Sequence, residues 1–131
     1  MREVGVRAAT EADFSWIWRL AREHLRELGY VPQPVYREAI TAGEVLVVPG
    51  AGFVRFHRRR DGWATVYELC SVRPGAGRVL LEVVPAPRRL KCPADLPANG
   101  FYERVGGILA ATDPGKHRPL NVWEWPSASS M

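Results

Sequence analysis

The sequence predicts an α/β (α+β) layered domain with a mixed, mostly antiparallel central sheet flanked by helices, in the order β-α-α-β-β-β-α-β-α-β-β. Three observations predict it. Before Gly43, one stretch carries apolar residues at helical spacing and a second is bounded by a helix-opening proline and a closing glycine. Three apolar runs between Glu44 and Val72 are joined by Pro49-Gly50 and Asp61-Gly62, turn signals that favour antiparallel hairpins. A glycine-rich turn, Pro74-Gly75-Ala76-Gly77, then separates the longest run from another helical stretch.

Glu3 to Ala8 alternates weakly, with Val4, Val6 and Ala8 on one side, and reads as a short strand. Thr10-Glu11-Ala12-Asp13 is a helix start, with a Thr cap and an acid three residues on. Phe14, Ile17, Ala21, Leu25 and Leu28 share one face until Gly29 stops the helix. Pro34 to Ala42 is a shorter helix, opened by proline and closed before Gly43. Strands are expected over Glu44 to Val48, Gly52 to Arg59 and Trp63 to Val72. After the glycine turn come a helix from about Gly77 to Val84, a strand around Arg89 to Cys92 and a helix from Asp95 to Val105. Strands Ile108 to Thr112 and Leu120 to Trp125 close the chain around Asp113-Pro114-Gly115.

At 131 residues and 47% hydrophobic content, one domain with a real core is expected over 1–126, with 127–131 as a flexible tail. No apolar run approaches the roughly 18 residues of a membrane span. Met1-Arg2-Glu3-Val4 does not read as a secretory signal, and two cysteines, Cys70 and Cys92, read as reduced thiols, so a cytoplasmic location is expected. Of the 18 basic residues behind the net charge of +4, only Lys91 and Lys116 are lysine. That arginine bias reads as genome composition. The run His57-Arg58-Arg59-Arg60 precedes Asp61-Gly62 and reads as a solvated strand end rather than a phosphate-binding patch, which leaves nucleic acid a weakly supported partner.

The glycine turn carries the chemistry. N–H groups in the first turn of a helix lack intrahelical acceptors, and the helix dipole adds positive charge there. Glycine lets an anion come close. A phosphate-bearing ligand is the first expectation. His24 reads as a partly buried structural residue. Cys70 has no placeable His partner that would make it a nucleophile, and no metal is expected.

Two segments resemble the GNAT superfamily of N-acetyltransferases. Val72-Arg73-Pro74-Gly75-Ala76-Gly77-Arg78-Val79-Leu80-Leu81 is similar to the family's Arg/Gln-x-x-Gly-x-Gly/Ala loop and following helix. Asp95-Leu96-Pro97-Ala98-Asn99-Gly100-Phe101-Tyr102-Glu103-Arg104-Val105-Gly106-Gly107 resembles its Asn-x-x-Ala-x-x-Phe-Tyr-x-(basic)-x-Gly-Phe segment. Val72 stands at the family's Arg/Gln position, Asp95 at its Asn and Gly107 at its Phe.

The resemblance implies acetyl-CoA or another acyl-CoA as co-substrate. Its pyrophosphate would lie on Gly75, Ala76, Gly77 and Arg78, with charge from Arg73 or Arg78. Its pantetheine would lie along Cys70, Ser71 and Val72, and Asp95, Ala98 and Asn99 would complete the cofactor site. Tyr102 matches the Tyr that protonates the leaving thiolate, and Glu68, on the preceding strand, is the candidate base, with His57 second. A surface carboxylate paired with an arginine is the bland reading of Glu68. The acceptor, a small-molecule or protein amine, would meet Tyr30, Tyr36 and Trp123, although Trp123 or Trp125 is expected to pack inward. A nucleic-acid-modifying protein of the same fold, or a non-catalytic module with a decayed loop, are the alternatives. The oligomer expected is a monomer or homodimer.

Overall fold

A computed structural model describes residues 5–126, so the tail expected at 127–131 lies outside the described residues. The strands hydrogen-bond in the order β1-β2-β3-β4-β5-β7-β6, where β1 is Arg7–Ala8, β2 Val45–Val48, β3 Gly52–Arg58, β4 Ala64–Ser71, β5 Arg88–Pro93, β6 Ile108–Asp113 and β7 Leu120–Trp125. β1–β2, β2–β3, β5–β7 and β6–β7 are antiparallel, whereas β4 and β5 are parallel. The mixed, mostly antiparallel sheet expected from the hairpin signals is therefore the one observed. Within the stretch expected to be one domain, the chain divides into two compact units. One runs to Phe56 and takes in Glu68–Val84; the other holds His57–Tyr67 and resumes at Pro85.

In the first unit, α1 (Phe14–Glu23), α2 (Leu25–Leu28) and α3 (Gln33–Thr41) precede β2, and α4 (Ala76–Val83) follows β4. Phe14, Ile17, Leu20, Tyr36, Ile40, Val45, Val47 and Phe53 form its core, each large apolar side chain contributing about 1.5–3 kcal/mol by leaving water. The expected Thr10 start is present as a single 3-10 turn, Glu11–Asp13. Asp13 accepts from the Thr10 N–H at 2.8 Å, from Trp16 Nε1 at 2.9 Å and from the Arg7 guanidinium. Chiefly through Arg7, its carboxyl is held well below the usual carboxylate range.

The first helix is not continuous to Leu28, as expected, but breaks at His24. The His24 ring Nδ1 lies 3.0 Å from the Leu20 carbonyl, the acceptor that a helical His24 N–H would use. That N–H turns instead to Ala21 O. The break leaves Leu25 exposed rather than on the buried face.

In the second unit, α5 (Ala98–Arg104) is shorter than the expected Asp95 to Val105. Pro97 biases Leu96 away from the helical region, so residues 95–97 form turns instead. Trp123 and Trp125, two apart on β7, are both buried; the packing expected of one of them holds for both. A Cβ on Gly107 would lie 2.8 Å from Cζ2 of Trp125 and 2.8 Å from the Tyr102 carbonyl. The indole thus takes the space beside Gly107, where the resembling family carries Phe.

Candidate functional site

β4 leads from Glu68 and Cys70 to the glycine turn. Ser71, Val72, Arg73, Pro74 and Gly75 are exposed, while Ala76 and Gly77 are buried as α4 begins. The turn is locally bonded: Ser71 Oγ donates to Arg73 O at 3.1 Å, and Ala76 N–H donates to the same carbonyl at 3.1 Å. Gly75 caps α4 with φ +86°, a left-handed conformation that glycine adopts without strain. A Cβ there would meet nothing within 4 Å. Ala76 spends its N–H inside the turn, so the first-turn donors without a helical acceptor begin at Gly77 and Arg78. The Arg78 side chain meets Glu82 at 3.1 Å across an exposed helical pair, which holds it only weakly.

Beneath the turn, Glu68 is buried, in contrast to the surface carboxylate of the bland sequence reading. Both of its oxygens are engaged by Arg55, with Nε to Oε1 at 2.6 Å and Nη2 to Oε2 at 2.9 Å. Arg55 also lies 5.8 Å from the Tyr36 ring centroid. It had no place among the sequence-derived site residues. The available signal was the hairpin itself, because a turn at Asp61-Gly62 sets residue 55 opposite residue 68. Burial first, then Glu23 and Glu27, pushes the Cys70 thiol up to about 11, so it holds almost no thiolate at neutral pH.

The acceptor-site candidates are placed differently from one another. Tyr30 is 68% exposed, its ring edge-on to Trp18 at 6.0 Å. Tyr36 is 1% exposed, a core ring rather than an open surface. Its hydroxyl has no hydrogen-bond partner among the described residues, and burial, followed by the Glu68 charge, pushes the phenol above its ordinary range. Trp123 is buried in the second unit.

There, α5 brings Asn99, Tyr102 and Trp123 together. The Asn99 amide nitrogen donates to the Pro93 carbonyl at 2.9 Å and the Leu96 carbonyl at 2.8 Å. Its oxygen accepts from Trp123 Nε1 at 2.9 Å and Asn121 Nδ2 at 3.0 Å. Both donors and both acceptor positions are filled. Ala98 opens the helix, and Asp95 lies before it with Arg118 Nη1 at 3.6 Å. The side-chain hub is therefore Asn99, four residues past Asp95, the position matching the family's Asn. The sequence marks Asn121 only as a residue of the closing strands beside the expected acceptor site, and gives Pro93 no role.

Tyr102 packs its ring against Trp123 and Trp125, with centroids 6.4 and 6.0 Å away, and is 8% exposed. Its hydroxyl has no hydrogen-bond partner among the described residues. Burial pushes the phenol above its ordinary range, so it is fully protonated at neutral pH. Among the described residues no group of His, Cys, Asp and Glu is placed to hold a metal ion, and no helix is long and apolar enough to cross a membrane.

The sheet order, with a parallel β4–β5 pair beside antiparallel neighbours and a glycine turn leading from β4 into α4, defines a particular mixed α/β class. The chain has the GNAT acetyltransferase fold. It is similar to a GNAT-family acetyltransferase from Bacillus cereus ATCC 10987, with TM-score 0.80, 13% identity, and 94% of this chain and 96% of that one covered. It is similar to Ard1 from Thermoplasma volcanium, with TM-score 0.78, 18% identity and coverage of 92% and 95%. A streptothricin acetyltransferase from Bacillus anthracis str. Ames, solved in complex with acetyl coenzyme A, matches with TM-score 0.58, 17% identity and coverage of 71% and 69%. No protein-family model matches the chain, and no curated protein matches it in sequence.

Proposed function

We propose that this protein is an N-acyltransferase that moves an acetyl or other acyl group from acyl-CoA directly to a primary amine. The observation that carries the reading is the Tyr102 hydroxyl, a donor without a partner on a buried ring. That hydroxyl is not among the fully buried polar atoms, so a ligand can reach a donor that the surrounding wall leaves unused. Support comes from the fold shared with acetyltransferases, one of them solved with acetyl coenzyme A.

In this reading the first-turn amides of α4 and the open space at Gly75 take the pyrophosphate, with Arg73 and Arg78 adding charge. The exposed Ser71–Val72 backbone follows the pantetheine from Cys70 outward, and Asp95, Ala98 and Asn99 flank the cofactor, Asn99 by holding the start of α5 in shape. The amine nitrogen attacks the thioester carbonyl carbon, the C–S bond breaks, and the sulfur leaves with the electron pair. Tyr102 donates to that sulfur. A phenol raised by burial is a weaker acid than a CoA thiol, so its contribution is a hydrogen bond to developing charge, completed by proton return from solvent.

Arg55 takes one lone pair on each Glu68 oxygen, so as a base Glu68 accepts the amine proton on a remaining lone pair; if the buried pair acts only as a structural ion, the proton passes to water. His57 is the second base candidate. Tyr30 is the exposed ring available to an acceptor.

Thermal denaturation with acetyl-CoA tests the reading. At a hundredfold excess over Kd, native-state binding adds about 2.7 kcal/mol of stability and raises the melting temperature by several degrees. No shift at millimolar acetyl-CoA would remove acyl-CoA from the scheme and leave a non-catalytic module of this fold.

A further inference from the structure

The run His57-Arg58-Arg59-Arg60 has no part in acyl transfer as drawn above beyond His57. Two clefts of about 460 and 470 Å³ open beside it, both wholly within the second unit. Arg59 and Tyr67 line both, so the two adjoin. The β4–β5 register pairs Thr65 with Arg89 and Val66 with Leu90. Side chains alternate along a strand, so Thr65, Tyr67, Arg89 and Lys91 share the face opposite the buried Val66 and Leu90. The clefts lie on that face.

Charge on this face is unevenly balanced. Lys91 meets Asp113 at 3.0 Å, and Arg89 Nε lies 3.5 Å from Glu124 with its guanidinium stacked 4.2 Å from the Trp63 ring centre. Asp61, which lines the second cleft, accepts from the Trp63 N–H at 2.9 Å. Arg59 and Arg60 have no carboxylate partner among the described residues. The Arg59 guanidinium makes only one long contact, 3.5 Å to Thr65 Oγ1. Arg59 thus borders both clefts with most of its guanidinium donors unspent, beside a tyrosine that is 44% exposed. That pairing suits a flat organic anion. The fork matches a carboxylate or phosphate in two parallel hydrogen bonds, and the ring receives an apolar plane.

We propose that this cleft is a binding site for a small aromatic anion, its carboxylate or phosphate held by Arg59 with Arg60 alongside and its ring laid on Tyr67. His57, the second base candidate above, also lines the second cleft, but the anion site rests on Arg59, Arg60 and Tyr67 and does not depend on acyl-CoA binding.

The test is a titration of the isotope-labelled full chain, followed by amide NMR shifts at low ionic strength, with phenyl phosphate, benzoate, inorganic phosphate and benzyl alcohol. Saturable binding of phenyl phosphate or benzoate is expected, with shifts centred on residues 59–67 and 89–91. The stronger of the two identifies the oxyanion, and it should bind about tenfold more tightly than either inorganic phosphate or benzyl alcohol. Arg59→Ala should weaken it about tenfold, and Arg59→Lys by less, since charge remains but the fork is lost. Tyr67→Ala should erase the advantage over inorganic phosphate, and Arg104→Ala, on α5, should change nothing. Arg59 is exposed at a turn, and an unchanged melting temperature for its variants establishes that they fold. No saturable binding of either aryl anion, binding unaltered in Arg59→Ala, or inorganic phosphate binding as tightly as phenyl phosphate would each overturn the proposal.

Discussion

The glycine turn and the first turns of α5 are the two segments that resemble acetyltransferase motifs, and they are built in opposite ways. Around the turn, Ser71 to Gly75 are exposed, and the geometry rests on backbone bonds and one left-handed glycine. Around α5, Asn99 fills every hydrogen-bonding position it has, and two tryptophans enclose Tyr102. The first is a surface whose shape depends on conformation. The second is a small core whose shape depends on side chains. Substitutions should therefore separate binding from stability differently in the two segments.

The largest effect should come from Asn99→Ala. It leaves the Trp123 indole N–H, the Asn121 amide and the Pro93 and Leu96 carbonyls to find new partners in a half-buried setting. A loss of about 3 kcal/mol is expected, measured by urea denaturation. If Asn99→Ala instead unfolded with the wild-type midpoint, the side-chain reading of the α5 segment would fail. Tyr102→Phe, one turn further on, removes no hydrogen bond among the described residues. Its stability should stay within about 1 kcal/mol of wild type, because the ring packing is kept and no hydrogen bond is lost. Steady-state acyl transfer should fall about a hundredfold with KM for acyl-CoA little changed. Unchanged kcat would remove Tyr102 from the chemistry while leaving its packing intact.

Glu68→Gln lies closer to the turn and distinguishes two outcomes. As a structural partner of Arg55, its loss leaves a half-buried guanidinium facing a neutral amide, and stability falls by about 3 kcal/mol. As a base, its loss lowers kcat about a hundredfold even at temperatures where the variant is fully folded, which a purely structural role would not do.

What the sequence made legible follows the same division. The strands joined by Pro49-Gly50 and Asp61-Gly62, the helix after Gly75 and the inward face of β7 are local patterns, and local patterns survive folding. The break at His24 was not legible, since it depends on a ring nitrogen taking a carbonyl that the helix needed. The role of Asn99 was not legible either. Its four partners lie 3 to 24 residues away, and nothing in the segment distinguishes an asparagine that bonds β7 from one that faces a ligand. Tyr36 reads as a ring on a linker-proximal helix, and only the packed core reveals that it points inward.

The smallest and sharpest contrast is at Gly75. With φ at +86°, any side chain there strains the backbone even though space around it is open. Gly75→Ala should cost about 1 kcal/mol, and Gly75→Asn less, because asparagine tolerates the left-handed region better. If the turn binds pyrophosphate, Gly75→Asn should keep most acetyl-CoA affinity, since the amides stay in place. Gly75→Glu should lose it about a hundredfold by setting a carboxylate among the phosphate oxygens. Calorimetry on the three variants separates conformation from charge. Equal affinity losses in Asn and Glu would mean that the turn acts through its backbone shape alone, and affinity retained in Glu would place the anion elsewhere on the chain.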